Sequence, residues 1–83
     1  MAKRGNDFRY AQAAWSAARR MIARKDRPCY RVAATGDGST VHIVELPWIS
    51  PVKASRREAI DRAREAIAAW LDVQPEAFDV ERG

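Results

Sequence analysis

The chain is short of the residues that build reactive centres. Its 83 residues include one cysteine, Cys29, and one histidine, His42. A single cysteine excludes an intrachain disulfide, and one Cys with one His falls short of the four ligands of a structural zinc site. Neither GxxxxGK[ST] nor GxGxxG occurs, so the glycine loops that cradle nucleotide phosphates are missing. No nucleophile motif accompanies His42, which sits in the apolar run 41–46 and reads as a strand histidine facing solvent or satisfied in the sheet. Cys29, after Pro28 at a strand start, reads as a small semi-buried apolar residue. No apolar run reaches the roughly 18–20 residues that span a membrane. The basic start Met1-Ala2-Lys3-Arg4 is followed by no apolar run or cleavage site, so no signal peptide is expected. These absences lead us to expect a soluble, cytoplasmic protein without metal or cofactor.

Large apolar side chains are also few. The hydrophobic fraction is 47 %, but 16 of those 39 residues are alanine, leaving 23 larger ones. That suffices for one thin core in a single domain, not for a core plus a deep substrate pocket. A domain this small buries about two-thirds of its unfolded surface, and self-association is a common remedy.

Acidic residues are scarce at one end. Residues 1–31 hold nine Lys/Arg against two Asp/Glu, residues 32–72 five against six, and residues 73–83 one against three. The net +4 therefore conceals a basic beginning and an acidic end, which suggests an acidic partner for the first part.

The periodicity gives the order α-β-β-(β)-α-β. Residues 1–6 are charged and aperiodic and are expected to be flexible, with Asn6 or Asp7 capping a helix over 7–25. Phe8, Ala11, Trp15, Ala18 and Ile22 share one face of it, widened by Tyr10, Ala14 and Met21, while Arg9, Arg20 and Arg24 fall opposite. Pro28 ends this helix. A strand over 30–35, the turn Gly36-Asp37-Gly38 and a strand over 41–46 make a hairpin. Pro47 stops the second strand, Trp48 lies in a loop between prolines, and 52–54 forms a short third strand. Ser55 and Glu58 have capping-box spacing for a helix running to about Asp72. Its buried face is Ile60, Ala63, Ile67, Trp70 and Leu71, with Glu58 and Arg62 paired on the wet side. Phe78 and Val80 alternate with Asp79 and Glu81 as an edge strand. The expectation is an α+β fold: two helices on a small antiparallel sheet of three or four strands.

From Tyr30 to Gly83 the sequence resembles the HicB family of antitoxins. The resemblance rests on Tyr30-Arg31-Val32 as opening strand and on the turn Gly36-Asp37-Gly38. Glu45-Leu46-Pro47 resembles the family's strand ending. Ala54-Ser55-Arg56-Arg57-Glu58-Ala59-Ile60 is similar to its helix start. The stretch from Ala63 to Leu71 resembles its "AREAIA…L" helix, and 71–80 its "LDVPxxxFDV" ending. Three features depart from the pattern: no Gly follows Pro47-Trp48-Ile49, the usual DNA-binding tail is lacking, and the basic helix 7–25 is extra.

The resemblance implies a partial RNase H-like fold, non-catalytic, acting by protein–protein contact as a homodimer on a HicA-like toxin, a small basic RNase. The carboxylates agree with the lack of catalysis: the first strand has none, and Asp61, Glu65 and Asp72 fall on the solvent side of a helix, whereas two-metal nucleases cluster theirs. Glu76, Asp79 and Glu81 are the candidate acidic contacts for such a partner. Two other readings stay open. A nucleic-acid-binding module, for double-stranded RNA, would use Arg9, Arg20, Arg24, Lys53, Arg56 and Arg57 against phosphates. A small phage-type inhibitor of a host protein would use Trp48 as its anchor. Phe8, Trp15 and Ile22 are the candidate dimer contacts, because their helix carries more apolar surface than one thin sheet can cover.

Overall fold

A run of 22 residues with a single glycine and no proline forms the first element. Helix α1 spans Ala2–Ala23 in the structure, a computed structural model that describes residues 2–36 and 38–83, with side chains from Arg9 onward. It begins well before the expected start, so residues 2–6 are helical and Asn6 and Asp7 lie inside the helix instead of capping it. Ala2, Lys3 and Arg4 are good helix formers, and one glycine, Gly5, costs about 1 kcal/mol. Met1 lies outside the described residues.

α1 ends two residues sooner than expected. The Asp26 N–H donates to Met21 O (2.8 Å) and the Lys25 N–H to Ile22 O (2.9 Å), with Lys25 left-handed at φ 66°. This pair of bonds satisfies the last carbonyls and turns the chain before Pro28 is reached.

Four strands follow: β1 Cys29–Ala34, β2 Thr40–Ile43, β3 Val52–Lys53 and, after helix α2 at Ala59–Leu71 and a 3₁₀ turn at Pro75–Ala77, β4 Asp79–Arg82. The α+β class and the order α-β-β-β-α-β are as expected. The sheet order is β3-β2-β1-β4. β1 pairs with β2, and β2 with β3, antiparallel; β4 pairs with β1 in parallel, Tyr30 opposite Val80. The sheet is therefore mixed, where a purely antiparallel one was expected. The reason is the connection. α2 carries the chain back along the sheet, so β4 starts from the same end as β1 and runs beside it.

The β1–β2 hairpin turns on Gly38, whose φ of 77° suits glycine. The Gly38 N–H donates to Thr35 O (2.7 Å) and the Thr35 N–H to Thr40 O (2.9 Å); Asp37 lies outside the described residues. β2 stops at Ile43, three residues short of Leu46. Val44 N–H still donates to Arg31 O (2.8 Å), but the Leu46 N–H then folds back onto Ile43 O (3.1 Å). The bend swings Leu46 into the core, where it is 1 % exposed.

The core lies between the sheet and the helices. Phe78, Ile43, Leu46, Ile67 and Leu71 are fully buried, joined by Tyr30, Val32, Val80, Ala63 and Ala18. Each large side chain buried this way contributes about 1.5–3 kcal/mol. Tyr30 and Phe78 meet edge to face at 5.9 Å. Ile60 and Trp70 pack on the flank of this cluster, so the expected inner face of α2 holds, with Ala59 added. Val41, Ala54 and Ala59 form a second small cluster near β3. The start of α2 is tied as a capping box: the Glu58 N–H donates to Ser55 Oγ (3.3 Å), and the Ser55 hydroxyl and N–H donate to Glu58 Oε1 (3.0 and 3.3 Å). The box closes one turn ahead of the regular helix.

α1 measures about 33 Å at helical rise, comparable to the domain's longest extent of 36 Å. The radius of gyration, 12.9 Å, exceeds the roughly 11.8 Å of a compact chain this long, as a helix running along one side would make it.

Candidate interaction site

Strand alternation divides side chains between two faces of the sheet. Tyr30, Val32 and Val80 point to the helices, while Cys29, Arg31, Asp79 and Glu81 point away and are exposed. The parallel register sets Cys29 beside Asp79 and Arg31 beside Glu81. His42, opposite Ala33 on β2, is half-buried.

Glu45 closes this face from the end of β2. Its Oε1 accepts the Arg31 N–H (2.8 Å) and its Oε2 the Arg31 Nε (2.8 Å), so a carboxylate replaces a ladder carbonyl where the strand bends. Partial burial pushes the Glu45 carboxyl up, but the N–H and guanidinium of Arg31 outweigh it and hold it below the ordinary glutamate range. Asp79 Oδ1 accepts Arg27 Nη2 (2.8 Å) and Nε (3.2 Å), and the Arg27 bond chiefly holds its carboxyl low. Arg27 also donates to Glu76 O (2.6 Å) and Phe78 O (3.2 Å), fastening the approach to β4.

Cys29 is exposed, not semi-buried, because the buried residue at this point is Pro28 and the next position along β1 faces outward. Desolvation pushes its thiol up, and the charges of Glu81, Asp79 and Glu45 add to the rise. Such a thiol stays protonated and is a poor nucleophile. Three carboxylates thus gather on the outer face, two held by arginines. Glu81 forms no ion pair among the described residues, and Glu76 is exposed beside the same edge strand. Of the expected acidic contacts, Glu76 and Glu81 form no ion pair among the described residues, Glu81 lies against the Cys29 thiol, and Asp79 is engaged in holding β4.

Trp48 is not a free anchor. It packs on the core and against Trp70 at 5.9 Å, and its Nε1 is buried without a partner. The turn after β2 that buries Leu46 draws Trp48 in behind it. Of the expected dimer contacts, the Phe8 side chain lies outside the described residues and Ile22 packs on the core. Trp15, 37 % exposed, donates its Nε1 to Trp70 O (3.0 Å).

The expected phosphate contacts separate onto different elements. Arg9 and Arg20 are exposed on α1, and Arg24 pairs with Asp26 (3.3 Å). Lys53, Arg56 and Arg57 are exposed around the start of α2.

The sequence reading passed over the arginines that organise the fold. Arg19 sits over the Trp15 ring at 4.8 Å and caps α2, and Arg64 donates to Pro75 O and Phe78 O (3.0 Å each). Arg19 falls four residues after Trp15 on the margin of the apolar stripe, a spacing that could have marked it. Among the described residues, no group of three or more His, Cys, Asp or Glu side chains is placed to hold a metal ion, and no helix is long and apolar enough to cross a membrane. No family model, curated protein or solved structure matches the chain.

Proposed function

We propose that the chain is a non-catalytic protein-interaction module of HicB antitoxin type, which neutralises a small basic RNase in the cytoplasm through the outer face and free edge of its sheet. The observation that carries the reading is the connectivity: an antiparallel β1-β2-β3 meander followed by α2 and a β4 parallel to β1. That arrangement is compatible with the partial RNase H-like fold that the resemblance implies. The acidic face adds to it, since Glu76 and Glu81 flank an edge strand on a chain whose net charge is positive elsewhere. Opposite potentials steer encounter and fix register.

Pairing of two copies belongs to the same proposal. With Ile22 packed on the core, the pair would use the part of the α1 stripe that stays exposed, at Tyr10 and Trp15. The test is genetic. Each reading frame flanking the gene is expressed alone and with this chain. One flanking product should arrest growth alone, be tolerated with this chain, and co-purify with it. If none arrests growth, the reading fails.

A further inference from the structure

Among the described residues, the ion-pair network leaves cations unmatched on two surfaces, Arg9 and Arg20 on α1 and a group around the start of α2. Arg24, Arg27, Arg31 and Arg62 each meet a carboxylate, and Arg19 and Arg64 are turned onto backbone carbonyls. Lys53, Arg56, Arg57 and Arg82 form no ion pair among the described residues. The nearest acid in sequence, Glu58, is turned away: Ser55 holds its Oε1 (3.0 Å) and Arg62 its Oε2 (3.6 Å).

Two of these cations, Arg56 and Arg82, border one groove. Arg82, at the end of β4, donates its Nη2 to Arg56 O (3.0 Å), which anchors one guanidinium within a residue of another. Arg56 and Arg82 line an open groove of about 440 Å³ with Ala33 and Ala34 of β1 and Gly38 of the hairpin turn; among the described residues, no acidic side chain lines it. Lys53 follows Val52, the partner of Val41, so it falls on the opposite face of the sheet, and Arg57 is exposed next to Arg56. Holding like charges together without a counter-charge costs free energy, which a bound anion would recover.

We infer that this groove binds the phosphate backbone of a nucleic acid duplex. The lining favours that occupant over an acidic protein. Protein interfaces are anchored by large aromatic or aliphatic side chains in pockets, and the largest apolar residues here, Val32 and Val41, are already buried in the domain's own clusters. Single strands are held by stacking on aromatic rings, and among the described residues no aromatic side chain lines the groove. Small alanines with arginines from separate elements suit close approach of a backbone, and guanidinium forks match phosphate oxygens. The binding is sequence-independent and sensitive to salt. It is separate from the acidic face, so it goes beyond the antitoxin reading.

Fluorescence anisotropy with labelled double-stranded RNA and DNA oligomers tests it on the full chain. A dissociation constant in the nonspecific range of about 10⁻⁴–10⁻⁶ M is expected at physiological salt, with a log–log salt slope of about −2 to −3 for two to three phosphate contacts. Arg56→Ala with Arg82→Ala should weaken binding about tenfold or more and make the slope shallower by about 2. Because Arg82 also bonds Arg56 O, Arg56→Ala alone serves as a second variant that leaves this backbone acceptor in place; it should weaken binding by a smaller factor. Arg9→Ala with Arg20→Ala on α1 should leave it unchanged. Lack of binding to either duplex at low salt overturns the inference. So does unchanged affinity in both groove variants, or equal binding of polyglutamate of the same length.

Discussion

Arg19 donates through one guanidinium nitrogen to Leu71 O (2.5 Å) and Asp72 O (3.1 Å), the carbonyls at the end of α2. With Trp15 Nε1 on Trp70 O, α1 supplies donors to three successive carbonyls that α2 cannot satisfy itself. A cation also suits the negative end of the helix dipole. The helix that stands outside the HicB resemblance is therefore part of this domain's architecture. Arg19→Ala should destabilise the fold by about 1–2 kcal/mol, the range for a partly exposed hydrogen bond from a charged group. Urea denaturation reads this directly, and an unchanged midpoint would mean that α1 contributes nothing to α2.

Lys25 holds a left-handed conformation at the end of α1 that glycine adopts without steric cost. Lys25→Gly should raise stability by about 0.5–1 kcal/mol. A lower thermal midpoint would show that the Lys25 side chain, and not its backbone, matters there.

Ser55→Ala should cost about 1 kcal/mol, because Ser55 and Glu58 bond reciprocally ahead of α2. The loss should be less than additive with Glu58→Ala, since either change breaks the same box. Additive losses would place the two residues in separate roles.

Acid should weaken the fold. Asp79 and Glu58 are held below their ordinary carboxyl values chiefly by hydrogen bonds from Arg27 and Ser55, and Glu45 is held low by Arg31 against partial burial. A carboxyl depressed in the folded state contributes stability that is complete above its unfolded value and is lost as pH falls through its folded value. The unfolded values lie near 3.9 for Asp and 4.3 for Glu. Stability should therefore be flat from about pH 7 to 5 as far as these groups are concerned, and decline below about pH 4.5. Glu45→Gln should be less stable at neutral pH and lose less on acidification. A variant with the same acid decline as the parent would remove Glu45 from this account.

Light scattering addresses pairing. The proposal expects about 19 kDa for two copies of the chain against 9.4 kDa for one, and a single copy at high micromolar concentration would contradict it.

Much of the architecture was legible in the sequence. Alternation at Tyr30/Val32 and Val41/Ile43 marked the inner faces of β1 and β2, and the three-to-four spacing of Ala63, Ile67 and Leu71 marked that of α2. Strand direction was not legible. The Phe78/Val80 alternation states which side faces in, whereas parallel pairing depends on where α2 delivers the chain. The end of β2 was hidden because an apolar run does not reveal that Glu45 will bond the Arg31 N–H and bend the strand. The roles of Arg19 and Arg27 were hidden as well, since both act across more than 50 residues of sequence. The acidic pattern of β4 could be read directly; the pairing of Asp79 with Arg27 could not.

The growth-rescue assay with a toxic flanking product tests the central claim most directly when run on three forms of the chain. Wild type should restore growth. Glu81→Arg, which reverses an exposed charge on the sheet's outer face, should fold normally and fail to restore it. Arg56→Ala with Arg82→Ala should restore growth as wild type does, because the groove is a separate surface. Rescue that survives Glu81→Arg but disappears with the arginine pair would contradict the assignment of the acidic face as the partner surface.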